Sequence, residues 1–198
     1  PRDLLERYGL YARKSWGQNF LHAMHVHLAI AQASGASLGQ RVVEIGAGLG
    51  TLTWHLLKLG GEVEAIERDR DLCAVLREEF RGEARLTLHE ADAVAFDYAG
   101  VRAGADGRRA SIVGNLPYQL TGALLFRLLD VHQETGVWVV MVQREVADRL
   151  CAPVGTKSYG AATVSLSRVR AIHKVCDVGR HCFLPAPRVD SAVIALTP

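Results

Sequence analysis

The stretch Val42-Val43-Glu44-Ile45-Gly46-Ala47-Gly48-Leu49-Gly50 constrains the fold of this chain more than any other. A β-branched run enters a glycine-rich turn, and a helical pattern begins near Thr51. Glycines at such a junction let the backbone reverse sharply and approach a ligand closely. The spacing is G-x-G-x-G, not the G-x-G-x-x-G of dinucleotide binders, and Glu44 places an acid just before it. Both features disfavour a diphosphate and suit a cationic or zwitterionic ligand.

The rest of the chain alternates short β-rich runs with helical segments, the signature of a mainly parallel sheet wrapped by helices. Strands are expected at Arg41–Ile45, Glu62–Ile66, Arg85–His89, Ser111–Val113, Val137–Val142, Ala171–Val175 and Val189–Leu196. Helices are expected at Val26–Ser34, Thr51–Lys58, Arg70–Phe80, Gly122–Val131 and Arg144–Leu150. Tyr159–Val169 is ambiguous, because its β-branched content competes with a helical spacing of apolar residues. Gly100–Arg109 reads as an exposed loop. At 198 residues the chain is expected to be one domain.

Acidic and amide side chains recur at the predicted strand ends. Glu67 follows the first glycine by about twenty residues, the position from which a carboxylate accepts both ribose hydroxyls. Asp92, after the third strand, is an acceptor for an adenine amino group, and Asn115 follows the fourth. Ligands bind at strand C-termini in open α/β sheets, so the glycine loop, Glu67, Asp92 and Asn115 in this order describe a site for S-adenosylmethionine.

Asn115-Leu116-Pro117-Tyr118 suits an amino group on a flat ring. Such an amine is a poor nucleophile, because its lone pair is delocalised into the ring. The Asn115 carboxamide oxygen and the Leu116 carbonyl can accept its two hydrogens and favour a pyramidal nitrogen. Pro117 stiffens the turn and biases Leu116 towards an extended backbone. Tyr118 can stack on the ring. Read alone, the tetrapeptide is equally compatible with a turn after a strand.

Charge is segregated beneath a net of +2: residues 1–27 carry +2, residues 28–143 carry −4 and residues 144–198 carry +4. Basic ends converging on one face would attract a polyanion; scattered solubilising charge is the alternative. Cys73, Cys151, Cys176 and Cys182 lack metal or redox spacing and read as free thiols. His22, His25 and His27 have no carboxylate or cysteine among or beside them, so a solvated or RNA-facing cluster is expected and no metal site. No apolar run reaches the roughly 20 residues of a membrane span, and a cytoplasmic protein is expected.

Five ordered blocks resemble the rRNA adenine N6-dimethyltransferases. They are Arg13-Lys14-Ser15-Trp16-Gly17-Gln18-Asn19-Phe20-Leu21, the run Glu44 to Gly50, Glu67 with Asp92, Asn115 to Tyr118, and Phe183-Leu184-Pro185-Ala186-Pro187-Arg188-Val189-Asp190-Ser191-Ala192-Val193. The last is similar to the family's F-x-P-x-P-x-V-D-S-A-V. The resemblance implies a Rossmann-like class I methyltransferase, α/β, with a mostly parallel seven-stranded sheet, an antiparallel last strand and helices on both faces. It implies that Asn19 and Leu21 touch the cofactor from the N-terminal side, with residues 1–27 as a basic cover. Gly46 packs against the methionine part of S-adenosylmethionine, with Glu44 and Gly48 in the same loop. Glu67 holds the ribose and Asp92 the adenine. Asn115 contacts cofactor and target amine, Leu116 supplies its carbonyl, and Tyr118 and Phe183 are the aromatic faces for a flipped base.

The implied reaction is dimethylation of N6 of two adjacent adenines in a small-subunit rRNA hairpin, on an immature small ribosomal subunit, by a monomer. The small helical C-terminal domain usual in bacterial members is expected to be absent from residues 1–198. Ser158-Tyr159-Gly160-Ala161-Ala162-Thr163-Val164 is similar to the family's Y-G-R-L-S-V but lacks its arginine, so one RNA contact is expected to be lost. The competing readings are a large-subunit rRNA methylase of the antibiotic-resistance type and a non-catalytic RNA-binding assembly or transcription factor of the same fold. A small-molecule or DNA amine methylase is a further alternative.

Overall fold

A computed structural model describes residues 1–13 and 16–198; Lys14 and Ser15 of the N-terminal block lie outside the described residues. In chain order the elements are α1 (Arg2–Arg7), β1 (Phe20–Leu21), α2 (Met24–Ala33), β2 (Arg41–Ile45), α3 (Thr51–Lys58), β3 (Glu62–Glu67), α4 (Arg70–Glu79), β4 (Leu86–Glu90), β5 (Ser111–Asn115), α5 (Thr121–Asp130), β6 (Trp138–Gln143), α6 (Arg144–Leu150), α7 (Ala161–Ser167), β7 (Ala171–Val178), β8 (Phe183–Leu184) and β9 (Ser191–Thr197). The ambiguous Tyr159–Val169 contains α7: its apolar Leu166 is buried, so the 3.6-residue spacing prevails over β-branched content.

The main sheet has the order β4-β3-β2-β5-β6-β9-β7. Pairings from β4 through β6 are parallel, and β9 runs antiparallel to both neighbours. The chain starts at the centre with β2, moves outwards through β3 and β4, and returns to β5 on the other side of β2. That reversal opens a crevice beyond the C-terminal ends of β2 and β5, where ligands bind in sheets of this kind.

Alternation along the strands supplies two cores. Val42, Val63, Val113 and Val139 face one layer with Val26 and Ile30 of α2 and Leu52 and Leu56 of α3. Val43, Ile45, Ile112 and Val140 face the other, with Leu124 and Leu128 of α5 and Leu150 of α6. Period-two strands can be apolar at every position only when both faces are covered. Full burial of one Leu or Ile side chain contributes about 1.5–3 kcal/mol relative to exposure.

At Gly114 a Cβ would lie 2.5 Å from the Ile45 carbonyl oxygen. Glycine there lets β5 close against β2 and carries Asn115 to the edge of the crevice. A second, two-stranded sheet pairs Phe20 with Leu184 and Leu21 with Phe183. It joins the N-terminal block to the Pro-rich block, though the two are distant in sequence.

Candidate active site

The cleft over the crevice is lined from β1 and the segment before it, from the glycine loop, and from the ends of β3, β4 and β5. Gly46, Gly48 and Gly50 all have positive φ (72°, 59° and 78°), so the loop takes a course that side chains resist. A Cβ at Gly50 would meet the Phe80 ring at 2.4 Å, so α4 can pack there only against glycine.

Glu67 ends β3 with its carboxylate held at both oxygens. Oε2 accepts the Gly48 N–H at 2.9 Å and Oε1 the Asp69 N–H at 2.8 Å. Burial raises its pKa despite those backbone donors. Each oxygen keeps a further lone pair, so the fixed carboxylate can still accept from two hydroxyls. Glu44 is buried deeper and accepts the Thr53 hydroxyl at 2.6 Å. Burial pushes its carboxyl up to about 8; the Thr53 bond holds it back, and the nearby Glu67 charge adds to the rise. Asp92 is exposed at the rim, with Oδ1 accepting the Val94 N–H at 2.8 Å.

This donor set fits a positively charged adenosyl ligand. Three carboxyls line the cleft, and among the described residues the only arginine or lysine lining it is Arg68, whose guanidinium lies 4.5 Å above the Trp16 ring. Two buried carboxyls with raised pKa values are what a bound cation relieves, and a diphosphate would find no partner beside them.

On the opposite wall, Asn115 donates from Nδ2 to the Asn19 carbonyl at 3.1 Å. Neither its Oδ1 nor the Leu116 carbonyl accepts a hydrogen bond from any described residue, while the Leu116 N–H is taken up by the Met141 carbonyl at 3.1 Å. Two unpaired acceptors therefore adjoin in the chain at the cleft. Tyr118 lines the same wall, half-buried, with its hydroxyl 2.8 Å from Ser191 Oγ.

Asn19, Leu21, Glu44, Gly46, Gly48, Glu67, Asp92, Asn115, Leu116 and Tyr118 are thus brought to one cleft, as the sequence predicts. Phe183 is placed apart from them. Only 3% exposed, it pairs with Leu21 and packs in the core with Val178 and Cys182, outside the cleft lining. Its ring presents no open face opposite Tyr118.

In the histidine cluster His22 and His25 are exposed, as expected, and His27 is the correction. His27 is buried, stacked on His55 with centroids 5.5 Å apart and bonded to the Thr51 hydroxyl at 3.3 Å; burial drops its pKa to about 4. Only the packing of α2 on α3 reveals this. Among the described residues no group of three His, Cys, Asp or Glu is placed to hold a metal ion, and all four cysteines are free, two of them buried. No described helix is long and apolar enough to cross a membrane.

Sequence reasoning assigned no role to Gln18, Thr53, Asp69 or Ser191. Asp69 carried a readable signal as an aspartate just before a helical run, and it caps α4 by accepting the Asp71 N–H.

Fold and cleft together define a class I, S-adenosylmethionine-dependent methyltransferase. The sequence model for "Ribosomal RNA adenine dimethylase" matches residues 9–198, and the chain belongs to that family. It is similar to ribosomal RNA small subunit methyltransferase A of Anaeromyxobacter dehalogenans, 45% identical over 98% of this chain and 70% of the relative. The protein of that name from Methylococcus capsulatus is 45% identical over 94% of this chain and 71% of the relative.

Among solved structures, a dimethyladenosine transferase from Plasmodium falciparum superposes with a TM-score of 0.81 at 28% identity, covering 90% of this chain and 63% of that one. The 23S rRNA methyltransferase ErmE superposes with a TM-score of 0.80 at 26% identity, covering 90% of this chain and 69% of that one.

Proposed function

We propose that this chain dimethylates N6 of two adjacent adenines in a small-subunit rRNA hairpin, on an immature ribosomal subunit in the cytoplasm. The observation that carries the reading is the pair of unpaired acceptors, Asn115 Oδ1 and the Leu116 carbonyl, beside a carboxylate-lined cofactor cleft. The relatives at 45% identity carry a small-subunit name, which favours that substrate over the large-subunit one.

S-adenosylmethionine, when bound, supplies the electrophilic methyl group. Glu67 would hold the ribose hydroxyls, Asp92 the adenine amino group, and Glu44 with the glycine loop would receive the charged amino-acid end. Asn115 Oδ1 and the Leu116 carbonyl take the two hydrogens of the target amine and turn its lone pair out of the ring plane. Tyr118 supplies a ring face, and base stacking contributes about 1–3 kcal/mol against the few that extrusion of a base costs. The methylated nitrogen is acidic enough to release its proton to water, so no strong general base is required.

RNA needs a phosphate-binding surface as well as a base pocket. Beside Tyr118 and Ser191 lies a groove lined by Arg144, Arg149, Lys157, Arg180 and Arg188, with Glu145, Asp148 and Asp190. Among the described residues, the side-chain charges of Arg149, Lys157, Arg180 and Arg188 have no carboxylate within 4 Å, whereas Arg144 faces Asp177 and Asp190 at 3.8 Å. Those four cations of the C-terminal third are thereby available to a phosphodiester backbone. Arg7 and Arg13 are instead committed to Glu79 and to Asp69 with Asp71, so those two cations do not share in the groove.

Mapping of methylated adenines in both rRNAs after incubation with immature subunits tests the assignment. Modification confined to the large-subunit rRNA would replace it with the antibiotic-resistance type of activity.

A further inference from the structure

We propose that the turn Trp16–Asn19 is a positioning strap for Asn115, anchored by Gln18 on Asp69. The strap turns the Asn115 amide so that Nδ2 is occupied and Oδ1 faces the cleft. This rests on the reading of Asn115 as the group that receives the target amine.

A carboxamide has two ends of nearly equal size, so packing alone does not choose between them. With the NH2 end turned inwards, Asn115 would oppose a donor to an amine that already carries two hydrogens. Orientation therefore decides whether the residue attracts or repels its substrate. The one described hydrogen bond that sets the orientation is from Asn115 Nδ2 to the Asn19 carbonyl.

That carbonyl is held from both sides. Downstream, Phe20 and Leu21 are paired with Leu184 and Phe183. Upstream, Gln18 Nε2 donates to Asp69 Oδ2 at 2.7 Å, Gln18 Oε1 accepts the Arg13 N–H at 2.8 Å, and Arg13 Nη1 donates to Asp69 Oδ1 at 3.2 Å. The Asn19 side chain donates to the Gly17 carbonyl at 3.0 Å and closes the turn.

Asp69 itself does more than cap a helix. Helix caps are ordinarily wetted, whereas Asp69 is 2% exposed and buried beneath the strap. Its backbone N–H donates to Glu67 Oε1. Three hydrogen bonds and the Gln18–Asn19 peptide link thus connect the ribose-binding carboxylate through Asp69 to the amide that receives the amine. Seating the strap aligns both sides of the transfer at once, which makes Asp69 and Gln18 positioning residues.

The test is Gln18→Ala, which removes both Gln18 anchors and leaves the α4 cap intact. In nitrogen-15 spectra of the protein, the Asn115 side-chain NH2 is expected to exchange slowly with solvent in the wild type and to lose that protection in the variant. Methyl transfer at saturating cofactor and RNA is expected to fall roughly tenfold, as misplacement of a reacting group does. Exchanging donor and acceptor supplies the rescue: Gln18→Glu and Asp69→Asn are each slow, and the double variant regains most of the rate.

Unchanged exchange of the Asn115 amide in Gln18→Ala would overturn the proposal. So would a defect abolished by more cofactor, because the strap would then be only a cover. Absence of methyl transfer by the wild type would instead refute the reading of the reaction, and the amide measurement would still decide the strap.

Discussion

The hydroxyl of Tyr118 lies 2.8 Å from that of Ser191, so the aromatic wall of the cleft is fixed by a residue of β9 that is itself fully buried. Two blocks more than seventy residues apart meet in this bond. Tyr118→Phe and Ser191→Ala each remove it while leaving the ring in place. Each is expected to slow methyl transfer several-fold with cofactor affinity unchanged. Because both delete one interaction, the double variant should be no slower than the worse single one. Additive losses in single-turnover assays would show that the two hydroxyls act separately.

Gly114 supports the geometry from below. In Gly114→Ala the new methyl would lie 2.5 Å from the Ile45 carbonyl oxygen, a backbone atom and not the far end of a flexible side chain. Overpacking of this kind costs about 1–3 kcal/mol, and separating β5 from β2 also displaces Asn115. Urea denaturation should report that loss, with methyl transfer falling further than stability does. A variant as stable as the wild type would show that the strands have room to part.

Glu44 makes the free protein sensitive to pH in a definite direction. Its carboxyl is raised by burial from an ordinary 4.5 to about 8, so the folded chain holds a proton that the unfolded chain has released. That contribution to stability is full below about pH 4.5 and is lost as pH rises towards 8, amounting to a few kcal/mol in order of magnitude. His27, lowered to about 4, acts in the opposite sense only below its ordinary 6.5, and Glu67, also raised by burial, acts in the same sense as Glu44, leaving pH 6.5–8 to the two carboxyls. Denaturant midpoints should fall across that window in the wild type and fall less steeply in Glu44→Gln, which can still accept from Thr53. An equal fall in both would place the titrating group elsewhere.

A cation in the cleft reverses this preference, because it favours ionised Glu44. Affinity for S-adenosylmethionine is therefore expected to rise with pH up to about 8, with proton release on binding. Calorimetry in buffers of different ionisation enthalpy reads that release. Glu44→Gln should bind without it, and release persisting in that variant would contradict the assignment.

The basic groove predicts a salt signature. Removing one phosphate-neutralising cation lowers the slope of log affinity against log salt by about 0.7–0.9. Arg149→Ala and Lys157→Ala should each do so for an rRNA hairpin, whereas Arg7→Ala, which loses its contact with Glu79, should leave the slope alone. Equal effects of all three would indicate general surface charge rather than a groove.

Local pattern made much of this legible beforehand. β2 at Arg41–Ile45, α3 at Thr51–Lys58 and α6 at Arg144–Leu150 fall on the residues expected from the sequence, because glycine turns and apolar periodicity bound them. Glu67, Asp92 and Asn115 were readable as side chains at successive strand ends. Two-residue strands carry no periodicity, so the β1–β8 pairing was hidden, and the burial of Phe183 with it. His27 is surface-like by its neighbours in sequence and buried only because His55 stacks on it from α3. The Asp69 cap was visible in the sequence, but its union with Gln18 spans fifty-one positions and depends on where β3 delivers the strap's anchor.

If Asn115 receives the adenine amine, its loss should remove methyl transfer while the glycine loop, Glu67 and Asp92 still hold the methyl donor. The direct measurement is transfer of labelled methyl from S-adenosylmethionine to immature small subunits by the wild type and by Asn115→Ala, with cofactor affinity determined for both. Two dimethylated adjacent adenines are expected with the wild type and none with Asn115→Ala, although that variant still binds the cofactor. Transfer by Asn115→Ala at the wild-type rate, or no transfer by a wild-type protein that binds the cofactor, would contradict it.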